Sequence, residues 1–174
     1  MAPGAPLLVT VGRADATKDL GGLFEALARV RAVRPDASLV LVGADPEDLG
    51  SLDLEPPPGV AAIGWQDRPA DYLAAADAVV IPSWTEGHSN VADEALMLGR
   101  PVVTTDAGAH PPIVREAGGR VVPIRRPDAL GEAILDVLAS PPSSDAVRSV
   151  AERCLGMDGV LDATMAVYER VLGS

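Results

Sequence analysis

Six short runs of aliphatic and β-branched residues recur along this chain, at Leu7–Val11, Leu39–Val42, Val60–Ile63, Ala78–Ile81, Val102–Thr105 and Val121–Pro123. None alternates strictly between polar and apolar residues. A strand with one face in water would alternate, so continuous runs of this length predict strands buried on both faces, as in a parallel sheet covered by helices. Parallel neighbours need long crossover connections, and the intervening segments supply them. Leu20, Leu23, Phe24, Leu27 and Val30 follow helical spacing, and Pro35 ends the pattern before the second run. Ala70–Ala76 and Asn90–Leu98 predict shorter helices, the second closed by Gly99 at a left-handed C-cap and by Pro101. Beyond the sixth run, Asp128 is the expected N-cap of a helix carrying Leu130, Ile134, Leu135 and Leu138, which Pro141-Pro142 stops. Two more helices close the chain. The last, about Gly159–Leu172, is expected to bury Val160, Leu161, Met165, Val167, Tyr168 and Val171 in some combination, leaving Asp162, Glu169 and Arg170 to water.

Strand–helix alternation with right-handed crossovers gives an α/β, doubly wound, six-stranded parallel sheet of Rossmann-like type. A length of 174 residues with 48% hydrophobic composition suits one packed domain over residues 7–174, with Met1–Pro6 as a linker or start. The stretch Glu55-Pro56-Pro57-Pro58-Gly59 is too short for a domain boundary and reads as a rigid surface loop. The formal charge of −11 has the wrong sign for gripping nucleic acid or anionic lipid, so any anionic ligand needs a local site. Cys154 stands alone, which excludes an internal disulfide and a cysteine-cluster metal site, and it is expected to pack as a small buried hydrophobe. No run approaches the roughly 20 apolar residues of a membrane span, and the first residues lack the pattern of a signal peptide. Direct membrane insertion is therefore not expected, and a cytoplasmic location is.

Ligands of doubly wound sheets lie beyond the carboxyl ends of the strands, which directs attention to three loops. After the first run come Gly12, Arg13 and Lys18, two cations placed to straddle a phosphate. After the fourth comes Pro82-Ser83-Trp84-Thr85-Glu86-Gly87-His88-Ser89-Asn90, leading into a helix that carries Glu94. A helix N-terminus offers unpaired N–H groups and a positive partial charge to an anion, and Gly87 permits close approach. Glu94, about one turn in, can accept two hydrogen bonds from a vicinal diol such as that of a ribose. Glu86 can serve the hydroxyls of a second sugar. After the fifth run comes Asp106-Ala107-Gly108-Ala109-His110. Together the loops describe a nucleotide-sugar pocket.

With these residues in place the chain resembles the C-terminal, donor-binding domain of a retaining GT-B glycosyltransferase of family 4. Three stretches carry the likeness: Val11-Gly12-Arg13 with Lys18; Glu86-Gly87 with Glu94-Ala95 and Gly99-Arg100-Pro101-Val102-Val103, which contains the E-x7-E spacing; and Ile113-Val114 with Gly118-Gly119 before Val121. The resemblance implies that Arg13 and Lys18 pair with the donor diphosphate, that Glu94 holds the ribose and that Glu86 contacts the transferred sugar. It further implies that the backbone of Gly87, His88, Ser89, Asn90 and Val91 cradles the distal phosphate, and that Gly64-Trp65-Gln66 flanks the nucleobase. The donor would be a UDP-, GDP- or ADP-sugar, with no metal or prosthetic group, and an N-terminal acceptor-binding domain or subunit would complete the enzyme.

Two departures stand out. Asp93 occupies a position where the family has a large apolar residue, and a buried carboxylate needs a partner; Ala92 is also smaller than the family's residue. A non-catalytic nucleotide-sugar binding module is the alternative reading. A hydrolase is the more distant one, because Gly87-His88-Ser89-Asn90-Val91 resembles a nucleophile elbow lacking its second glycine, with Asp106 and His110 following. Otherwise His88 and His110 read as surface or packing residues, and Trp65 and Trp84 as pocket linings or loop anchors.

Overall fold

The computed structural model describes residues 4–173, apart from the side chains of Met157, Asp162 and Ala163. The expected linker over Met1–Pro6 thus falls partly on residues 1–3, outside the described residues, while the Pro6 carbonyl already accepts a bond from Ser38 N at 2.9 Å. All six predicted strands are present: β1 (Leu7–Val11), β2 (Ser38–Val42), β3 (Val60–Ala62), β4 (Ala78–Ile81), β5 (Val102–Thr105) and β6 (Arg120–Val122). They form one parallel sheet in the order β3-β2-β1-β4-β5-β6.

Successive strand residues point to opposite faces, so Leu8 and Val9 begin two separate cores. Leu8, Leu39, Leu41, Val80 and Val103 pack with α1 (Leu20–Val33), α2 (Pro46–Gly50) and α6 (Pro127–Ala139). Val9, Val79, Ile81 and Val102 pack with α3 (Pro69–Ala75), α4 (Asn90–Met97), α5 (Pro111–Glu116) and α7 (Ser144–Leu155). Helices on both faces explain why β4 and β5 are buried at every position. Gly99 takes the expected left-handed conformation after α4, at φ +71°, and Arg100 N closes back on Ala95 O at 2.9 Å.

The structure corrects four expectations. The N-cap of α6 is Arg126, not Asp128, because Pro127 occupies the first helical position and places Asp128 in the first turn. Helix α2 was not foreseen, although Asp45 and Asp48 form a reciprocal capping box at its start. Cys154 is half-exposed rather than buried, with Sγ 3.5 Å from an Arg153 guanidinium nitrogen and 3.9 Å from Glu116 Oε2. The last helix, α8 (Met157–Leu172), does not bury its apolar residues. Val160, Leu161, Met165, Val167, Tyr168, Val171 and Leu172 are between 47% and 76% exposed, since α8 packs mainly against α7. The expectation for Asp162 concerns a side chain outside those described.

Candidate functional site

The strand order reverses between β1 and β4, and a sheet with helices on both faces leaves a crevice at that point. The loop after β1 and the loop after β4 line it. Asp15 organises the first loop by accepting bonds from Thr17, which folds Ala16–Lys18 into one 3-10 turn. That turn brings the Lys18 stem back over Gly12, where an added Cβ would meet Lys18 Cε at 3.6 Å. Trp84 N donates to Thr17 O at 2.7 Å and joins the two loops. Lys18 Nζ then lies 2.5 Å from Glu86 Oε1, and Ser83 Oγ donates to the same oxygen at 2.7 Å.

This cleft is lined by Gly12, Arg13, Lys18, Ser83, Glu86, Ser89 and Val91 among others. Burial pushes the Glu86 carboxyl up, but the hydrogen bonds from Lys18 and Ser83 and the Lys18 charge together hold it below its ordinary 4.5. A folded value below the unfolded one means that Glu86 adds stability above about pH 4.5 and loses that contribution as the pH falls through the folded value. Lys18→Met removes the cation and leaves the burial. Acid titration followed by circular dichroism is expected to unfold the variant at a higher pH than the wild type.

A second, larger cleft, of about 350 Å³, shares Val11, Gly12 and Arg13 with the first and continues over Val42, Gly43, Trp65, Gln66, Asp67 and Pro69. Trp65 is 84% exposed there. The Gln66 side chain is engaged internally, donating to Ile63 O at 2.9 Å and accepting from Tyr72 Oη at 3.1 Å, so its free contribution to a ligand is backbone. Trp84, by contrast, is a loop anchor: the Arg125 guanidinium lies 4.1 Å from its ring centroid.

The structure therefore brings Gly12, Arg13, Lys18, Glu86, Ser89 and Val91 around one cleft, with Trp65 and Gln66 on its extension. Gly87, His88, Asn90 and Glu94 are exposed and line neither. Glu94 sits in the second turn of α4. His88 Nε2 pairs with Asp93 Oδ2 at 2.5 Å, which supplies the partner that Asp93 requires, although Asp93 Oδ1 stays buried without one. Ser83 carries no expected role in the sequence; its signal was a polar residue one position beyond the proline that ends a fully buried strand. The elbow reading fails. Ser89 Oγ caps α4 by accepting from Ala92 N at 3.3 Å, Asp106 Oδ1 accepts from Ile124 N, and His110 bonds Thr104 rather than Ser89. Among the described residues, no cluster of three or more metal-ligating side chains forms, and no helix is long and apolar enough to cross a membrane.

Two clefts meeting at a sheet's switch point, one floored by a cation–carboxylate pair, are joined by a decisive sequence match. Residues 5–140 match the family described as Glycosyl transferases group 1. The chain belongs to that family. It is 30% identical over 187 residues to a D-inositol 3-phosphate glycosyltransferase of Jonesia denitrificans, covering 98% of this chain and 44% of that protein. It is 32% identical over 148 residues to a GDP-mannose-dependent monoacylated alpha-(1-6)-phosphatidylinositol monomannoside mannosyltransferase of Corynebacterium glutamicum, covering 78% of this chain and 39% of the other. Among solved structures, the sucrose-phosphate synthase of Thermosynechococcus elongatus superposes with a TM-score of 0.74 at 26% identity, over 99% of this chain and 47% of that one. The group 1 chain thus has the Rossmann-like sheet of GT-B glycosyltransferases and spans less than half the length of these relatives.

Proposed function

We propose that this glycosyltransferase domain is the donor-binding half of a family 4, retaining enzyme and holds a nucleoside-diphosphate sugar across its two clefts. The observation that carries the reading is the Lys18–Glu86 pair at the switch point, which sets a phosphate-binding cation beside a carboxylate able to accept sugar hydroxyls. Arg13 stands at the junction of the clefts, where a diphosphate between base and sugar would lie. The N-terminus of α4, capped by Ser89, adds backbone N–H donors. Trp65 and the backbone beside Gln66 flank the base, and the ribose is assigned to Glu94 on its E-x7-E spacing from Glu86, its exposed side chain swinging in from the second turn of α4 when the donor binds.

The reaction is displacement of the nucleoside diphosphate from the anomeric carbon. Negative charge grows on the leaving phosphate as that bond breaks, and Arg13, Lys18 and the α4 amides stabilise it in the transition state more than in the ground state. Side-chain cations and amides supply this neutralisation in place of a metal. Glu86 accepts hydrogen bonds from the sugar and orients it; the acceptor belongs to a second domain or subunit with which this one closes. The working location is cytoplasmic, where nucleotide sugars are made.

Calorimetric titration with UDP, GDP and ADP tests the reading. Saturable binding of one nucleotide is expected, weakened by Glu94→Ala about 10-fold or more, the value of a hydrogen bond to a charged group. Transfer by this chain alone is expected to be negligible, because half a cleft neither orients the acceptor nor excludes water. Binding without transfer in the presence of an acceptor half would instead favour a non-catalytic binding module. No saturable binding of any of the three nucleotides overturns the donor-site reading.

A further inference from the structure

His110 is fully buried, at 0% exposure, and has no part in the donor site described above. Its Nε2 lies 2.8 Å from Thr104 Oγ1. The Thr104 hydroxyl has one proton, which it donates to Ile81 O at 3.1 Å. Thr104 must therefore accept from His110, which puts the imidazole proton on Nε2 and leaves Nδ1 bare. Nδ1 is buried without a hydrogen-bond partner. Burial pushes the imidazole below the ordinary histidine value, outweighing the opposing attraction of Glu86, and so favours the neutral ring.

The bond chain from His110 through Thr104 to Ile81 ends at the root of the loop that carries Ser83 and Glu86. The segment after β5 grips the same loop at further points: Thr105 Oγ1 donates to Ser83 O, Ala109 N donates to Gly87 O at 2.9 Å, and Gly108 packs against Glu86. The charged and titratable side chains acting on the imidazole are Glu86, His88, Asp93 and Lys18. A proton on Nδ1 would create a buried cation attracted to Glu86, whose carboxylate already binds Lys18 at 2.5 Å.

We propose that neutral His110 is a positioning residue for Glu86, holding the Ile81–Glu86 loop through Thr104, and that protonation of His110 disarms the cleft by setting a second cation against the Lys18–Glu86 pair. Its readout in ligand affinity rests on the donor-site reading; its structural readout does not. The chain has two histidines, so imidazole resonances of the wild type, assigned with His88→Asn, report His110 directly. Near pH 7.5 they are expected to show a neutral ring protonated on Nε2. Lys18→Met is expected to make His110 easier to protonate. A charged ring, an Nδ1-protonated ring, or a titration unmoved by Lys18→Met would overturn the proposal.

The second arm uses GDP, UDP or ADP, whichever binds, titrated between about pH 7.5 and 5.5. His110→Gln keeps an N–H near the Nε2 position and takes no proton. Wild-type affinity is expected to fall about tenfold more over this range than that of His110→Gln, the equivalent of one unit of proton linkage. Protonation of the ligand's own phosphate is common to both proteins and cancels. Equal pH dependence in the two would overturn the proposal. Failure of every nucleotide to bind sinks the donor-site reading alone, and the imidazole resonances, which need the wild type, His88→Asn and Lys18→Met but no ligand, then decide the inference.

Discussion

Replacing Arg13 and Lys18 together by alanine is expected to weaken nucleoside-diphosphate binding by a factor of about 10²–10⁴, since hydrogen bonds to charged groups contribute roughly 1.5–3 kcal/mol each. The two cations differ in what they leave behind. Arg13 is exposed at the junction of the clefts, and its loss removes attraction without stranding another group. Lys18 is already bonded to Glu86, so its removal also leaves a mostly buried carboxylate that keeps the Ser83 hydroxyl as a donor. Arg13→Ala should therefore cost affinity at nearly constant stability, whereas Lys18→Ala should cost both. Calorimetric titration paired with thermal unfolding separates the two, and affinity unchanged in the double variant would remove the cations from the site.

Gly108→Val is expected to produce the largest loss of stability, about 2–5 kcal/mol, combining a left-handed backbone with a steric collision. Gly108 has φ +79°, and an added Cβ would lie 2.7 Å from Glu86 O and 2.9 Å from both Glu86 Cβ and Gly87 O. Backbone cannot swing aside as a flexible side chain can, so the loop carrying Glu86 must shift. At roughly 2–4 °C per kcal/mol for a domain of this size, the melting temperature should fall by about 4–20 °C, and donor affinity should fall with it. Gly87→Ala provides the contrast. Nothing lies within 4 Å of a Cβ there, so stability should hold while any ligand that needs close approach to the α4 N-terminus loses affinity. A Gly108→Val protein that melts with the wild type would refute the account of how the two loops interlock.

The strands were readable because burial on both faces writes itself as an unbroken apolar run; each predicted strand lies within a residue or so of the observed one. The order in which they pair was not readable, since a parallel register depends on which helix covers which face rather than on any one run. Helix α8 shows the opposite limit. Its helical spacing was legible, but spacing says that a face is apolar and not that anything in this chain covers it. The same distinction divides the site. Arg13, Lys18 and Glu86 could be named from their positions after β1 and β4, because strand ends define where loops converge. Ser83, Thr104 and His110 could not, because their bonds are set by how the loop after β4 folds back on itself and by how β4 and β5 align. Glu94 marks the remaining gap: its spacing from Glu86 is plain in the sequence, yet its side chain lines neither cleft.

The bare apolar side of α8 also bears on how this domain responds to heat. Unfolding raises the heat capacity by newly hydrating apolar surface, about 12–15 cal/mol/K per residue in ordinary domains. Along α8 much of that surface is in water before unfolding begins. The chain by itself should consequently have a flatter stability curve than its length implies, with its optimum less sharply defined in temperature, and a partner that covers α8 would restore the curvature along with the contact.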